Sequence, residues 1–246
     1  MPRGLIRFGS VDSKSRRLYC LPFAGGGPST YRMWPRSLPA DVDVVAVRPP
    51  GRDPTNAELP ADSIAEIVDA VLASIAELHR AEPLPFALFG HSLGALVAFE
   101  VTIALEESGG LIPTRLFVSG RRPPDELHHG DKVHALADDE FLDAIQRSYG
   151  GVPDLVRNEP ELLALLLPSL RADIKAHENY APLTARQVRC PVRVYGGARD
   201  RNPRPSQLGG WQRVAVHEVS IRVFEGGHFY LDAARDALTA DIAQHV

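Results

Sequence analysis

Six short runs of β-branched and aromatic residues, most of them set apart by longer stretches of helical period, narrow the folds open to this chain more than any other feature. The runs fall at residues 17–21, 42–47, 86–90, 115–119, 192–196 and 219–224. Strand and helix taking turns is the pattern of an α/β domain, a largely parallel sheet covered by helices on both faces. Several runs are apolar almost throughout, as strands buried on both faces require. Residues 62–79 set Ile64, Ile67, Val68, Val71, Leu72 and Ile75 on one helical face, and Ser63 with Glu66 makes a capping-box start. A second helix runs from Leu93 to Leu105 and stops near Ser108-Gly109-Gly110.

With 246 residues the chain fits one domain, 1–246. Its 44% apolar and 24% charged residues argue against disorder, and a net charge of −4 argues against a nucleic-acid partner. No apolar run reaches the ~18 residues of a membrane span, and the first residues lack the apolar core of a secretory signal. Cys20 and Cys190 lie in or beside strand runs and read as buried free thiols, which predicts a reduced, cytoplasmic setting.

Residues 121–186 break the alternation, because about 65 residues stand where one crossover helix would suffice. Phe141, Leu142, Ile145 and Tyr149 share a helical face ending at Gly150-Gly151. A second helix starts near Asn158-Glu159-Pro160 and enters the run Leu162-Leu163-Ala164-Leu165-Leu166-Leu167, which Pro168 is expected to interrupt. That run is more apolar than one amphipathic stripe needs. It predicts a helical lid insertion, 121–186, over an apolar channel, with a well-buried crossover helix as the alternative.

The sharpest local signal is Gly90-His91-Ser92-Leu93-Gly94, a G-x-S-x-G turn between a strand run and a helical pattern. Such a turn crowds its central residue, so glycines two places either side make room, and the helix N-terminus favours developing negative charge at Ser92. The base and acid follow in the order Ser, Asp, His. His228 lies in Gly226-Gly227-His228-Phe229 beyond a strand run, and Asp200 ends the glycine loop Gly196-Gly197-Ala198-Arg199-Asp200. Asp125 is the alternative acid, and a surface ion pair with Arg199 or Arg201 the alternative role for Asp200. His91 is expected to support the turn, and the remaining histidines, His177 among them, to be solvated. Acyl transfer also needs two oxyanion donors. The Leu93 N–H is one, and Ala24, with Phe23 close behind, is the second, from Leu21-Pro22-Phe23-Ala24-Gly25-Gly26-Gly27. No Lys-Ser/Thr follows those glycines, which argues against a phosphate cradle. The His and Cys spacings suit no metal site.

With these residues in view, the sequence resembles the type II thioesterases of polyketide and nonribosomal peptide synthesis, in the α/β-hydrolase superfamily. The matching residues are Leu21 to Gly26, Arg48-Pro49-Pro50-Gly51-Arg52, Gly90 to Ala95, Ser119-Gly120-Arg121, Asp173 with Tyr180, Gly197 to Asp200, and Gly226 to Phe229. The resemblance implies an α/β-hydrolase fold. It implies hydrolysis of acyl groups from the phosphopantetheine arm of acyl or peptidyl carrier proteins, without a cofactor of the enzyme's own, by a monomer. Ser119 stands where the synthase-fused thioesterases tend to carry their acid, which favours Asp200 and the free-standing, editing type. Leu93 replaces a frequent Met, and Pro28 follows the third glycine. Arg52, Arg121 and Arg122 are candidates for meeting an acidic carrier. An esterase or thioesterase for small acyl esters or acyl-CoA is the nearest alternative, and a non-catalytic binding protein of the same fold a more distant one.

Overall fold

The computed structural model describes residues 1–10, 12–53, 58–126, 132–150, 159–182 and 186–246. Its sheet contains β1 (Leu5–Phe8), β2 (Arg16–Leu21), β3 (Val42–Val47), β4 (Phe86–His91), β5 (Arg115–Ser119), β6 (Val192–Gly197) and β7 (Ser220–Phe224). Their order across the sheet is β1-β3-β2-β4-β5-β6-β7. All neighbours run parallel except β1, which pairs antiparallel with β3 at the edge. The ends of β2, β4, β6 and β7 that lead into the glycine loops therefore lie along one rim, with β4 at the centre.

Side-chain alternation builds a core on each face. From β2, Tyr19 and Leu21 join a cluster with α1 (Ile64–Ala81) and α2 (Leu93–Glu107). Leu18 and Cys20 face the other way, toward Tyr31, Trp34 and α5 (Arg235–Ala243). In α1 the Ser63 side chain accepts the Glu66 N–H at 3.3 Å, while the Glu66 carboxylate reaches Asp62 N–H, one residue before the cap. The last strand differs from its expected burial: β7 is exposed along most of its length, with Ile221 and Val223 open to solvent.

Between β5 and β6 lie α3 (Asp138–Tyr149) and α4 (Pro160–Glu178). Pro168 sits inside α4 without ending it. The proline removes one backbone donor, and Ala164, whose carbonyl loses that donor, is exposed. Phe141, Leu142, Ile145 and Ile174 form a separate cluster, joined by Leu163, Leu167 and Leu170. The apolar surplus of α4 turns outward instead, with Leu165 73% exposed. Among the described residues, no helix is long and apolar enough to cross a membrane.

Candidate active site

Ser92 stands alone between the end of β4 and the start of α2, with φ 54° and ψ −114°. A non-glycine residue in that region is strained, and strain persists where the surroundings over-determine it. Here backbone does so: a Cβ on Gly90 would lie 2.1 Å from Gly94 O, and one on Gly94 2.3 Å from Leu21 O. The Ser92 N–H donates to Ser119 O at 2.8 Å, fixing the turn to β5. Beneath it, His91 Nδ1 lies 2.8 Å from Ser119 Oγ, itself 2.6 Å from the Tyr230 hydroxyl. Burial, followed by the charge of His228, pushes the His91 pKa well down, so a neutral imidazole supports the turn.

Two backbone hydrogen bonds of 2.8 Å, Ala198 N–H to Phe224 O and Arg199 N–H to Gly226 O, lash the loop after β6 to the loop after β7. Their side chains meet as a result: His228 Nδ1 is 2.9 Å from Asp200 Oδ2, and both are almost wholly buried. Asp200 Oδ1 accepts the Asn202 N–H at 2.9 Å. Arg199 pairs with Glu225 at the surface, so the ion-pair reading of Asp200 does not describe the structure. Asp125 is held by Arg213, far from the role of an acid for His228. Ser92 and His228 line one cavity. Among the described residues the Ser92 hydroxyl has no hydrogen-bond partner.

The loop after β2 forms the next wall. Phe23 O accepts the Gly26 N–H at 2.8 Å across a turn whose third residue, Gly25, has φ +74°, a conformation that calls for glycine. This leaves the Phe23 and Ala24 N–H groups without partners among the described residues, while both residues border the cavity. The Leu93 N–H opens α2 and has no intrahelical acceptor. Asp173 of α4 fixes the loop. Its Oδ2 accepts the Gly25 N–H at 2.7 Å and the Arg52 guanidinium, and its side chain is 4% exposed. Burial pushes this carboxyl up to about 6 against the downward pull of Arg52.

The structure brings Ser92, His228 and Asp200, the three residues singled out in the sequence, to one rim, and adds walls that sequence reasoning missed. His177, expected in solvent, lines the cavity and takes Arg121 on its Nδ1. The Tyr149 ring packs 5.1 Å from that of His228, and Phe229 packs edge-to-face on Phe23 at 4.9 Å. The three arginines do not make a surface patch. Arg52 is buried on Asp173, Arg121 borders the cavity, and Arg122 Nε donates to Asn202 Oδ1 at 3.1 Å. Asp173 and Arg121 carried one signal in the sequence, their place among the family-like motifs. His128 and His129 lie outside the described residues.

Comparison with known proteins agrees with this geometry. Residues 16–246 match the family model described as a thioesterase domain. The chain is 37% identical over 240 residues to the thioesterase PikA5 of Streptomyces venezuelae, covering 98% of this chain and 84% of that one. It is 34% identical over 223 residues to the gramicidin S biosynthesis protein GrsT of Aneurinibacillus migulanus, covering 90% and 86%. The solved type II thioesterase BorB, from the borrelidin biosynthetic cluster, superposes with a TM-score of 0.86 at 34% identity, covering 98% and 96%.

Proposed function

Because the chain belongs to the thioesterase family, as a type II thioesterase of polyketide and nonribosomal peptide pathways with an α/β-hydrolase fold, we propose that it clears acyl groups from the phosphopantetheine arm of carrier proteins through an acyl-serine on Ser92. The observation that carries this reading is the buried 2.9 Å pair of His228 Nδ1 and Asp200, set over the cavity that Ser92 shares. With Nδ1–H donated to Asp200, His228 Nε2 is the free base. It takes the Ser92 proton as Oγ attacks the thioester carbonyl. The N–H groups of Leu93 and Ala24 hold the oxyanion, Ala24 being offered by the turn that Asp173 fixes. The carbon–sulfur bond then breaks, and His228 gives its proton to the departing pantetheine sulfur. Water enters, loses a proton to His228 and attacks the acyl-serine. The acid leaves, and the proton returns to Ser92 Oγ. Every proton has a protein donor or acceptor, so the chemistry calls for no metal or cofactor.

The helical insertion at 121–186 would act as a lid, with α4 supplying Leu170 and Ile174 to the cavity wall. An acyl or peptidyl carrier domain would present the arm to a monomeric enzyme. Comparing kcat/KM on one acyl group carried by a carrier protein, by CoA and by an aryl ester tests the substrate. The carrier is expected to be preferred, chiefly through KM. A preference for CoA or the aryl ester would instead make this a small-molecule thioesterase or esterase.

A further inference from the structure

The cavity of Ser92 and His228 is bordered by one permanent charge, Arg121, and among the described residues by no carboxylate. Arg121 lies two residues beyond the end of β5, and its backbone is held by Trp211 Nε1 donating to Arg121 O at 2.8 Å. Among the described residues its two terminal nitrogens share one acceptor, His177 Nδ1, at 3.1 and 3.2 Å. Its Nε–H is buried and has no partner among the described residues. A guanidinium has more donors than one imidazole nitrogen can satisfy, so donors remain for a ligand.

Five carboxylates of the surrounding elements are engaged elsewhere. Asp173 holds Arg52, Glu178 holds His134, Asp125 and Glu126 hold Arg213, and Asp200 holds His228. The other titratable groups that act on Arg121 are Tyr149, Tyr180 and Arg122, none of which is an anion at neutral pH. Burial accordingly pulls the guanidinium below its ordinary range. Among the described residues this half-buried cation has no counter-charge, which is unfavourable, and an acceptor brought by a ligand offsets that cost.

The thioester carbonyl cannot be that acceptor in the reaction above, since the N–H groups of Leu93 and Ala24 receive it. What remains is the rest of the acyl chain or the amide oxygens of the pantetheine arm, and the apolar neighbours of Arg121 in the cavity favour the chain. Ile145, Leu170 and Ile174 offer an oxygen on that chain nothing to bond. We propose that Arg121 is an acyl-chain subsite for an oxygen acceptor, a β-carbonyl or carboxylate, so that oxygenated acyl thioesters are favoured over plain alkyl ones and ammonium-bearing aminoacyl groups are disfavoured. The subsite rests on the Ser92 reading and deepens it by naming a substrate class.

Pantetheine thioesters of similar length test it: butyryl, 3-oxobutyryl, malonyl and β-alanyl. The readout is kcat/KM relative to butyryl in the wild type divided by the same ratio in Arg121→Met, which cancels both intrinsic thioester reactivity and any general loss from imperfect folding. A hydrogen bond to a charged group predicts double ratios on the order of 10–100 in favour of 3-oxobutyryl and malonyl, and below one for β-alanyl. Arg121→Lys should keep part of the malonyl preference. A gain for malonyl alone identifies the ligand as a carboxylate, and a gain for both as any oxygen acceptor. Double ratios near one for all substrates overturn the subsite while leaving Ser92 catalysis intact. Undiminished hydrolysis by Ser92→Ala overturns the Ser92 reading itself.

Discussion

Asp173 separates stability from activity in this fold, and two substitutions expose the difference. Asp173→Ala leaves the Gly25 N–H unsatisfied and strands the Arg52 guanidinium, whose side chain is only 9% exposed. Breaking one side of a buried pair costs about 3–5 kcal/mol, a large share of the ~5–15 kcal/mol that holds a domain folded. Asp173→Asn keeps an oxygen facing both donors and removes only the charge. A carboxyl held at about 6 against an ordinary 3.8 is opposed in its ionised form by about 3 kcal/mol. At pH 7.5 the Asn protein should therefore be within about 1 kcal/mol of wild type, or more stable. The folded state keeps the Asp173 proton up to about pH 6, whereas the unfolded chain releases it near the ordinary value. Folding takes up a proton in that window, so this group's contribution falls as pH rises from about 4 to 6 and then levels. Urea unfolding of wild type minus Asp173→Asn across pH 4 to 8 isolates the slope. Activity should behave differently, since a looser grip on Gly25 lets the Ala24 donor drift. Loss of one oxyanion donor lowers kcat by about 100–1,000-fold, and the Asn protein should show part of that loss with KM little changed. Equal destabilisation by Ala and Asn, or full kcat in the Asn protein, would refute the reasoning.

Three further outcomes follow from the same geometry. Gly94→Ala drives a Cβ to within 2.3 Å of Leu21 O and 2.5 Å of Pro22 O, both backbone. It should cost at least ~1–3 kcal/mol in urea unfolding and lower kcat further by shifting the elbow and the oxyanion loop together. Asp200→Asn should leave the fold intact by circular dichroism while kcat drops by about 10,000-fold through loss of the correct His228 tautomer. Cys20 and Cys190 are buried free thiols, the first pushed well above its ordinary pKa and the second up to about 12, in both cases chiefly by burial. Neither should react with a thiol reagent at pH 8 until the protein is unfolded.

The strands that sequence alone locates are those with nearly continuous apolar runs, because burial on both faces leaves that mark. Leu5–Phe8 carries no such mark. It is four residues long, lies at the sheet edge and is only partly buried, so it resembles an ordinary tail. At the opposite edge, Val219 to Phe224 looks like an interior strand, yet Ser220 to Val223 are exposed. Pro168 misleads in the other direction, since a missing donor matters little where the freed carbonyl is exposed. Ser92, Asp200 and His228 are legible because each follows a strand and sits in a glycine-rich turn, and a parallel sheet brings such turns to one rim. The contact of Asp173 with Gly25 and Arg52 leaves no local pattern, as it joins residues more than a hundred positions apart. His177 is hidden for a similar reason: its neighbours on α4 are mixed, and only the packing of that helix over the cavity turns it inward.

The central claim is that Ser92 is the nucleophile and that His228 activates it. Labelling the intact protein with a fluorophosphonate, then mapping the modified peptide by mass spectrometry, reads this most directly. One adduct is expected, on Ser92, absent from Ser92→Ala and formed far more slowly in His228→Ala. An adduct on another residue, or unchanged labelling of Ser92 without His228, would contradict it.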